Sequence, residues 1–221
     1  MQEYTEVAIP AVALERLPVF PLPRAALLPG ELLPLHVFEP RYREMTRDVL
    51  DGHGLLVVAQ LDEAASSEPP GFLPIAGLGK VVASKELAGE RYYIVLQGVA
   101  RVDVSKERPQ ERLYREVQAD LLSDNKSERV EMLTTLYSQV VVLCDRLAEQ
   151  ADVDSDKIRE LPRSASDPGQ CADLVAAAFV SDPEERQALL EALDPADRLE
   201  TVIGHLSQHL VAMTGGPANL N

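Results

Sequence analysis

Residues 17–47 read LPVFPLPRAALLPGELLPLHVFEPRYREMTR, two short apolar segments joined through a proline–glycine pair and followed by a helical pattern. Pro29-Gly30 predicts a turn between strands, because proline fixes φ and glycine accepts a positive φ. Pro40 suits the first position of a helix, and apolar residues then repeat at helical spacing as far as Gly52. The stretch therefore predicts strand, turn, strand and helix in that order.

The rest of the first half continues in short segments that are apolar, rich in β-branched or aromatic residues, and bounded by turn residues. The predicted strands are Leu17–Phe20, Leu32–Val37, Leu55–Leu61, Ile75–Ser84, Arg91–Gly98, Val99–Val104 and Tyr114–Leu121. Short strands in this number are typical of a small barrel or sandwich. Because prolines are concentrated in the first 40 residues, we expect the early strands to lie at an edge or to be kinked.

From about residue 124 the chain changes to long segments with helical spacing. A single apolar stripe predicts a helix at Lys126–Gln150, a polar linker is expected at 152–169, and Pro183 and Pro195 each begin a further helix. The stripe can be buried within one bundle or can join two copies, so the sequence leaves the oligomeric state open. We therefore predict an α+β fold. Its expected parts are a β-rich unit with one helix at 1–123, a helical bundle at 124–214 and a flexible tail at 215–221.

Composition excludes several classes of protein. The chain has 221 residues and 46% hydrophobic residues, as expected of a folded globular protein. With 21 Lys and Arg against 36 Asp and Glu, the net charge of −15 would repel a phosphate backbone, so we expect no nucleic-acid partner. The β-rich part carries 13 basic and 18 acidic residues, a net charge of −5, so most of the net negative charge lies in the helical part.

Targeting signals are also missing from the sequence. The amino terminus lacks the basic region of a secretory signal, and no apolar stretch reaches the roughly 18 residues of a membrane helix. The two cysteines, Cys144 and Cys171, have neither disulfide-framework nor zinc-site spacing. We expect a cytoplasmic protein that does not enter a membrane.

Known catalytic and metal-binding motifs are incomplete in this sequence. Gly77-Leu78-Gly79-Lys80 lacks the spacing and the Ser or Thr of a phosphate-binding loop, and no nucleophile elbow occurs. His205 and His209 are four residues apart, but Leu206 replaces the glutamate of the zinc-binding helix motif. We therefore predict no catalytic residues, no metal and no cofactor.

Several short motifs resemble the amino-terminal, substrate-binding domain of Lon proteases. They are Leu17-Pro18, Pro21-Leu22, Leu28-Pro29-Gly30, Leu33-Pro34-Leu35 and Phe38-Glu39-Pro40-Arg41-Tyr42. Residues 95–101, VLQGVAR, are similar to a second family segment, in which an apolar strand is followed by Gly and Arg. Residues 172–176 and 184–191 look like parts of the family's helical bundle.

The resemblance implies a PUA-like β pseudo-barrel followed by a helical bundle. It also implies recognition of unfolded or tagged client proteins, or of a separate partner protein. In full-length Lon an ATPase and a Ser-Lys protease follow this region, and neither motif set is present here, so we expect a non-enzymatic module. A PUA-like module that binds RNA or a small molecule is the alternative, which the acidic charge disfavours for RNA.

Two kinds of surface are candidates for peptide binding: an unpaired edge strand in the proline-rich beginning, and an apolar cleft between barrel and helices. The candidate residues are Phe38, Arg41, Tyr42, Phe72, Tyr92 and Tyr93. Arg41 and Tyr42 are either a structural strut between helix and barrel or a ligand contact. Because Tyr92 and Tyr93 face opposite sides of a strand, we expect at most one of them in the core. Phe38 and the leucines before it are predicted to be mostly core.

Overall fold

The computed structural model describes residues 8–62, 70–125, 129–151 and 153–214, and it confirms the α+β class. The chain divides into two compact units, residues 1–123 and 124–221. The described elements of the first are α1 (Ala11–Leu14), β1 (Leu17–Leu22), β2 (Leu32–Val37), α2 (Pro40–Asp51), β3 (Leu55–Gln60), β4 (Ile75–Leu87), β5 (Arg91–Glu107) and β6 (Arg115–Leu122). Those of the second are α3 (Val130–Gln150), α4 (Ser155–Arg163), α5 (Pro168–Phe179), α6 (Pro183–Glu191) and α7 (Pro195–Thr214). The predicted tail at 215–221 lies outside the described residues.

The strands of the first unit form one mixed sheet in the order β2-β5-β4-β3-β1-β6, and β6 also pairs with β5. That last pairing closes β5, β4, β3, β1 and β6 into a ring, which leaves β2 as an extra strand beside β5. One core cluster draws its side chains from the five ring strands, among them Leu17, Val57, Leu78, Val102 and Val117. A second cluster packs α2 and β2 against the outside of the ring.

β5 is one strand of 17 residues, where the sequence predicted two strands divided at Gly98. Its first half pairs with β2 and its last part pairs with β6. The prediction was wrong because glycine here does not end the strand. A Cβ on Gly98 would lie 2.9 Å from the carbonyl carbon of Leu28, so glycine is the residue that lets another segment cross the strand closely.

The crossing segment contains the predicted turn Pro29-Gly30. Leu27 and Leu28 are fully buried, and Gly30 has φ of 86°, as the turn prediction required. The Gly30 N–H donates to Gly98 O at 2.8 Å, and the Gly98 N–H donates to Glu31 O at 2.9 Å. Two motifs nearly 70 residues apart in the sequence therefore meet at one place in the structure.

Of the two early strands that contain proline, β2 lies at an edge of the described sheet, as expected, whereas β1 does not. It runs between β3, its parallel partner, and β6, its antiparallel partner. β6 pairs with Leu17–Val19 and β3 with Val19–Leu22, so each side of the strand is hydrogen-bonded over only part of its length. Because each side is paired over only a few residues, a strand with two prolines can have a neighbouring strand on both sides.

α2 begins at Pro40 as predicted and buries Tyr42, Met45 and Val49 at helical spacing. The Tyr42 ring packs on Phe20 of β1, with ring centroids 4.3 Å apart, which fixes the start of the helix on the ring. The Glu39 side chain at the start of the helix makes no capping hydrogen bond.

The second unit is a bundle in which α3 packs against α7, α4 and α5. α4 corrects the prediction of a polar linker at 152–169. This segment folds because Ile158 and Leu161 are partly buried and Pro162 is fully packed, with the Tyr137 hydroxyl donating to Pro162 O. Within the described ranges, none of the helices has the length and hydropathy needed to span a membrane.

Arg198 is a fully buried arginine in this bundle. Its two terminal nitrogens donate to the Asp124 carboxylate at 2.9 and 2.6 Å, and one also donates to Ala192 O. Its Nε lies 3.2 Å from Oδ1 of the buried Asp173. The guanidinium thereby links the start of the unit to α5 and α7.

Both cysteines are free and buried in the bundle, and burial raises the pKa of each thiol to about 12. We expect neither Cys144 nor Cys171 to react with an aromatic disulfide reagent at pH 8 while the protein is folded, because the thiolate is the reactive form. Two thiols should react once the protein is denatured, as absorbance of the released thiolate would show. Fast reaction of one thiol in the native protein would contradict the burial.

Candidate functional site

An exposed apolar surface lies on β2 and its neighbour β5. We call it the β2 face and define it by Leu32, His36, Phe38 and Tyr93. Phe38 is 60% exposed, Tyr93 53% and Leu32 48%. His36 is opposite Tyr93 in the ladder, and its ring centroid lies 4.7 Å from that of Tyr93 and 5.8 Å from that of Phe38. Two large aromatic side chains are thus held around one imidazole at the protein surface.

The alternation of β2 explains this exposure. Leu33, Leu35 and Val37 turn towards the second core cluster, and the residues between them turn outward. The prediction that most of this apolar run lies in the core was therefore wrong for Leu32 and Phe38. A one-sided strand with apolar residues on both faces leaves half of them exposed to solvent.

β2 is also an edge strand, since its only pairing among the described residues is with β5. Because Glu31 O accepts from Gly98 N on β5, the alternation of an antiparallel ladder turns the backbone of Leu32, Pro34 and His36 away from β5. Leu32 and His36 each present an N–H and a C=O at this edge. Pro34, which has no N–H, presents only its C=O.

A separate cavity of about 400 Å³ lies in the same unit, beside the start of α2. We call it the Tyr42 pocket. It is lined by Pro21, Arg41, Tyr42, Leu61, Pro70, Gln110, Leu113, Tyr114 and Arg115. Apolar and aromatic side chains form most of this lining, and two guanidinium groups are placed among them.

Tyr42 is one of two largely buried tyrosines that line the pocket. Burial raises the pKa of Tyr42 above its usual value, and the positive charges of Arg41 and Arg115 oppose that rise. The phenol is therefore protonated at neutral pH and can donate a hydrogen bond. The Arg41 guanidinium lies 4.9 Å from the centre of the Tyr42 ring and donates to Glu39 at 2.7 and 3.0 Å.

Arg115 forms one side of the pocket and is fixed from several directions. It donates twice to the Glu107 carboxylate and once to Pro70 O, and its guanidinium stacks 4.3 Å from the centre of the Phe72 ring. Tyr114 beside it donates to the Asp48 carboxylate at 2.8 Å, and burial together with this bond raises its pKa well above the ordinary value. These contacts keep the wall of the pocket in place.

The structure separates the six predicted site residues into three groups. Phe38 and Tyr93 belong to the β2 face, whereas Arg41 and Tyr42 line the pocket and Phe72 supports its wall. Tyr92 is only 7% exposed and lies in the core, as expected for one member of the tyrosine pair.

Sequence reasoning missed His36, Tyr114 and Arg115. His36 had a detectable signal, since it lies between two apolar residues on a strand that ends at Val37. The segment before Tyr114 and Arg115 gave no comparable signal, because their places in the pocket depend on contacts with residues distant in sequence.

No group of three or more His, Cys, Asp and Glu residues suited to a metal ion occurs in the described ranges. His209 Nε2 lies 3.0 Å from Phe179 O, and His205 Nε2 lies 3.3 Å from Glu185. The two histidines of the helix motif therefore contact separate neighbours.

Comparison with known proteins places these features in one family. Residues 16–208 match the model of the ATP-dependent protease La (LON) substrate-binding domain. The chain is 26% identical to a Lon protease of Desulfosudis oleivorans over 89% of its own length, and 32% identical to Lon protease 2 of Myxococcus xanthus over 87%. It spans about a quarter of these relatives, 24% and 23% of their lengths.

Solved structures agree with the fold. The amino-terminal domain of a Mycobacterium avium complex Lon protease superimposes with a TM-score of 0.68 at 18% identity, over 88% of this chain and all of that one. A Lon N-terminal domain protein from Xanthomonas campestris gives a TM-score of 0.58 at 19% identity, over 86% of this chain and 97% of that one.

Proposed function

This chain belongs to the Lon substrate-binding domain family, and from that membership we propose that it is a non-catalytic module that binds exposed apolar segments of client proteins. The binding surface we propose is the β2 face. The observation that carries the proposal is the pair of aromatic side chains, Phe38 and Tyr93, held more than half exposed around His36. Contiguous exposed apolar side chains of this kind mark interaction sites on soluble proteins.

The chemistry of the β2 face suits an unfolded segment. Aromatic residues contribute large contact areas at a small cost in conformational entropy, and they dominate binding energies at protein interfaces. No carboxylate belongs to the four defining residues, although the unit as a whole is acidic. Lys85 is opposite Tyr93 in the β4–β5 ladder, so an apolar client segment would meet one positive charge at the border of this face.

The free edge of β2 adds a second way to hold an extended client. A strand added beside β2 could bond with the backbone of Leu32 and His36, and its alternate side chains would reach the β2 face. Backbone hydrogen bonds are independent of the client's sequence, whereas apolar contacts select for exposed hydrophobic residues. Together they would recognise an unfolded chain without requiring one sequence.

Replacing both aromatic residues tests this surface. The double variant Phe38→Ser and Tyr93→Ser should bind a fluorescently labelled, permanently unfolded polypeptide at least 10-fold more weakly. Truncating an aromatic side chain that becomes buried on binding costs on the order of 1–2 kcal/mol. Fluorescence anisotropy would measure the dissociation constant, and circular dichroism would check the fold.

A matched control is Val12→Ser, which removes an apolar residue that is 78% exposed on α1, away from the β2 face. Its affinity should equal that of the wild type. Equal losses in the control and in the double variant would show that binding is not localised on β2. Unchanged affinity in the double variant would rule out the β2 face.

We also propose that the protein acts in the cytoplasm, without an enzymatic activity of its own. Two free thiols support a reducing compartment. The matched family model is that of a substrate-binding domain, which supports a binding role. The clients, and any ATPase or protease that acts on them, would be found by affinity capture and mass spectrometry.

A further inference from the structure

We propose that the Tyr42 pocket binds the free carboxyl terminus of a polypeptide whose last residue is apolar. The inference rests on the proposed function only in taking a polypeptide as ligand. It concerns a different surface from the β2 face and a different feature of the client, the chain end. The two sites can therefore be tested separately.

The apolar part of the pocket is suited to a side chain. Pro21, Leu61, Leu113 and the Tyr114 ring contribute walls to a cavity of about 400 Å³. This volume lies at the lower end of the range for sites that hold small ligands, roughly 300–1,000 Å³. It would accommodate one terminal residue with a leucine-sized or phenylalanine-sized side chain, and not a folded element.

The polar part of the pocket is suited to a carboxylate. The protonated Tyr42 phenol has no hydrogen-bond partner in the described part of the chain, and it lies within the electrostatic influence of both Arg41 and Arg115. A carboxylate oxygen placed there would accept the phenolic hydrogen bond and face the guanidinium groups of Arg41, which is now paired with Glu39, and Arg115, which is paired with Glu107. Charge-assisted bonds of this type are about twice as strong as bonds between neutral groups.

Arg41 can exchange its present partner for a ligand. Its ion pair with Glu39, two residues away, lies on the surface, with side chains 56% and 40% exposed. Exposed pairs of this kind contribute little to stability, so a terminal carboxylate could take the place of Glu39. Arg115 differs, because Glu107, Pro70 O and the Phe72 ring hold it as part of the wall.

The test compares two peptides that differ only at their end. An N-acetylated hexapeptide ending in phenylalanine would be measured by isothermal titration calorimetry as the free acid and as the carboxamide. We expect amidation to weaken binding at least 10-fold. Tyr42→Phe, which keeps the ring on Phe20, and Arg41→Gln should each weaken binding of the acid about 5-fold or more.

Glu39→Gln is a further test, because its expected effect on binding would not follow if Arg41 had a purely structural role. Removing the competing carboxylate should tighten binding of the acid about 3-fold and leave the amide unchanged. The Phe38→Ser and Tyr93→Ser variant should bind the acid as the wild type does, which separates failure at this pocket from failure at the β2 face. N-acetylphenylalanine alone should bind at least 10-fold more weakly than the hexapeptide.

Three results would overturn the proposal. These are equal affinity for acid and amide, no gain with Glu39→Gln, and equal affinity for N-acetylphenylalanine and the hexapeptide. The last would assign the pocket to a small carboxylic acid rather than to a chain end. No detectable binding of the acid by the wild type would reject the site altogether.

Discussion

Replacing Gly98 with alanine is expected to destabilise the first unit by about 3 kcal/mol or more, enough to remove most of the stability of a small domain. The new Cβ would overlap the Leu28 carbonyl group, whose carbon would be 2.9 Å away. The position of the Cβ is fixed by the backbone of β5 and the group it meets is a backbone carbonyl, so no side-chain rotation can relieve the overlap. Urea unfolding followed by circular dichroism, with hydrogen exchange to identify β2 and β5 amides, would measure the loss.

Gly89→Asn is the matched control for Gly98→Ala. Gly89 lies between β4 and β5 with φ of 76°, and a Cβ there meets nothing within 4 Å. Asparagine tolerates this left-handed conformation, so the cost should stay near or below about 1 kcal/mol. If Gly98→Ala lowered the free energy of unfolding no more than Gly89→Asn, residues 27–31 would lie farther from β5 than they do in the structure.

Replacing Arg198 with alanine is expected to destabilise the helical unit by about 3–5 kcal/mol, the usual cost of breaking a buried ion pair. The substitution removes the guanidinium from Asp124 and from Asp173, which is itself buried, and leaves a cavity between α5 and α7. Calorimetry should show a large fall in the unfolding temperature of this unit. Hydrogen exchange would assign the change to α5 and α7.

Arg129→Ala provides the comparison within the same bundle. Arg129 contacts Asp194, Asp197 and Glu200, also a set of carboxylates, but its side chain is 36% exposed. Water can replace those contacts, so the expected loss is much smaller than that for Arg198→Ala. Equal effects of the two substitutions would mean that burial does not control the strength of these ion pairs.

Local patterns in the sequence predict much of this fold. The boundaries of β2 follow from a short apolar run that begins after the Pro29-Gly30 turn, and the start of α2 follows from a proline at the first helical position. The continuity of β5 does not, because Gly98 is both a common strand breaker and the residue a close crossing requires. Local patterns do not predict α4 either, because its sequence is mainly polar and only a few apolar residues pack on α3.

The binding surfaces were less predictable than the strands. The opposite faces of Tyr92 and Tyr93 follow directly from strand geometry. The exposure of Phe38 depends on which side of β2 the core occupies, which a run of apolar residues on both faces does not reveal. The pocket depends on Arg115 stacking over Phe72, a contact across more than 40 residues that has no local pattern.

If β2 binds clients as proposed, Pro34 in the middle of its free edge limits how long a client stays bound. Pro34 offers a docked strand no N–H donor, so one carbonyl of that strand would be left without a partner and the backbone ladder would be interrupted between Leu32 and His36. Fewer backbone bonds favour fast dissociation, since differences in affinity within one interface lie mostly in the off-rate. The same gap hinders two copies from joining edge to edge, so that β2 can remain exposed to clients without nucleating aggregation.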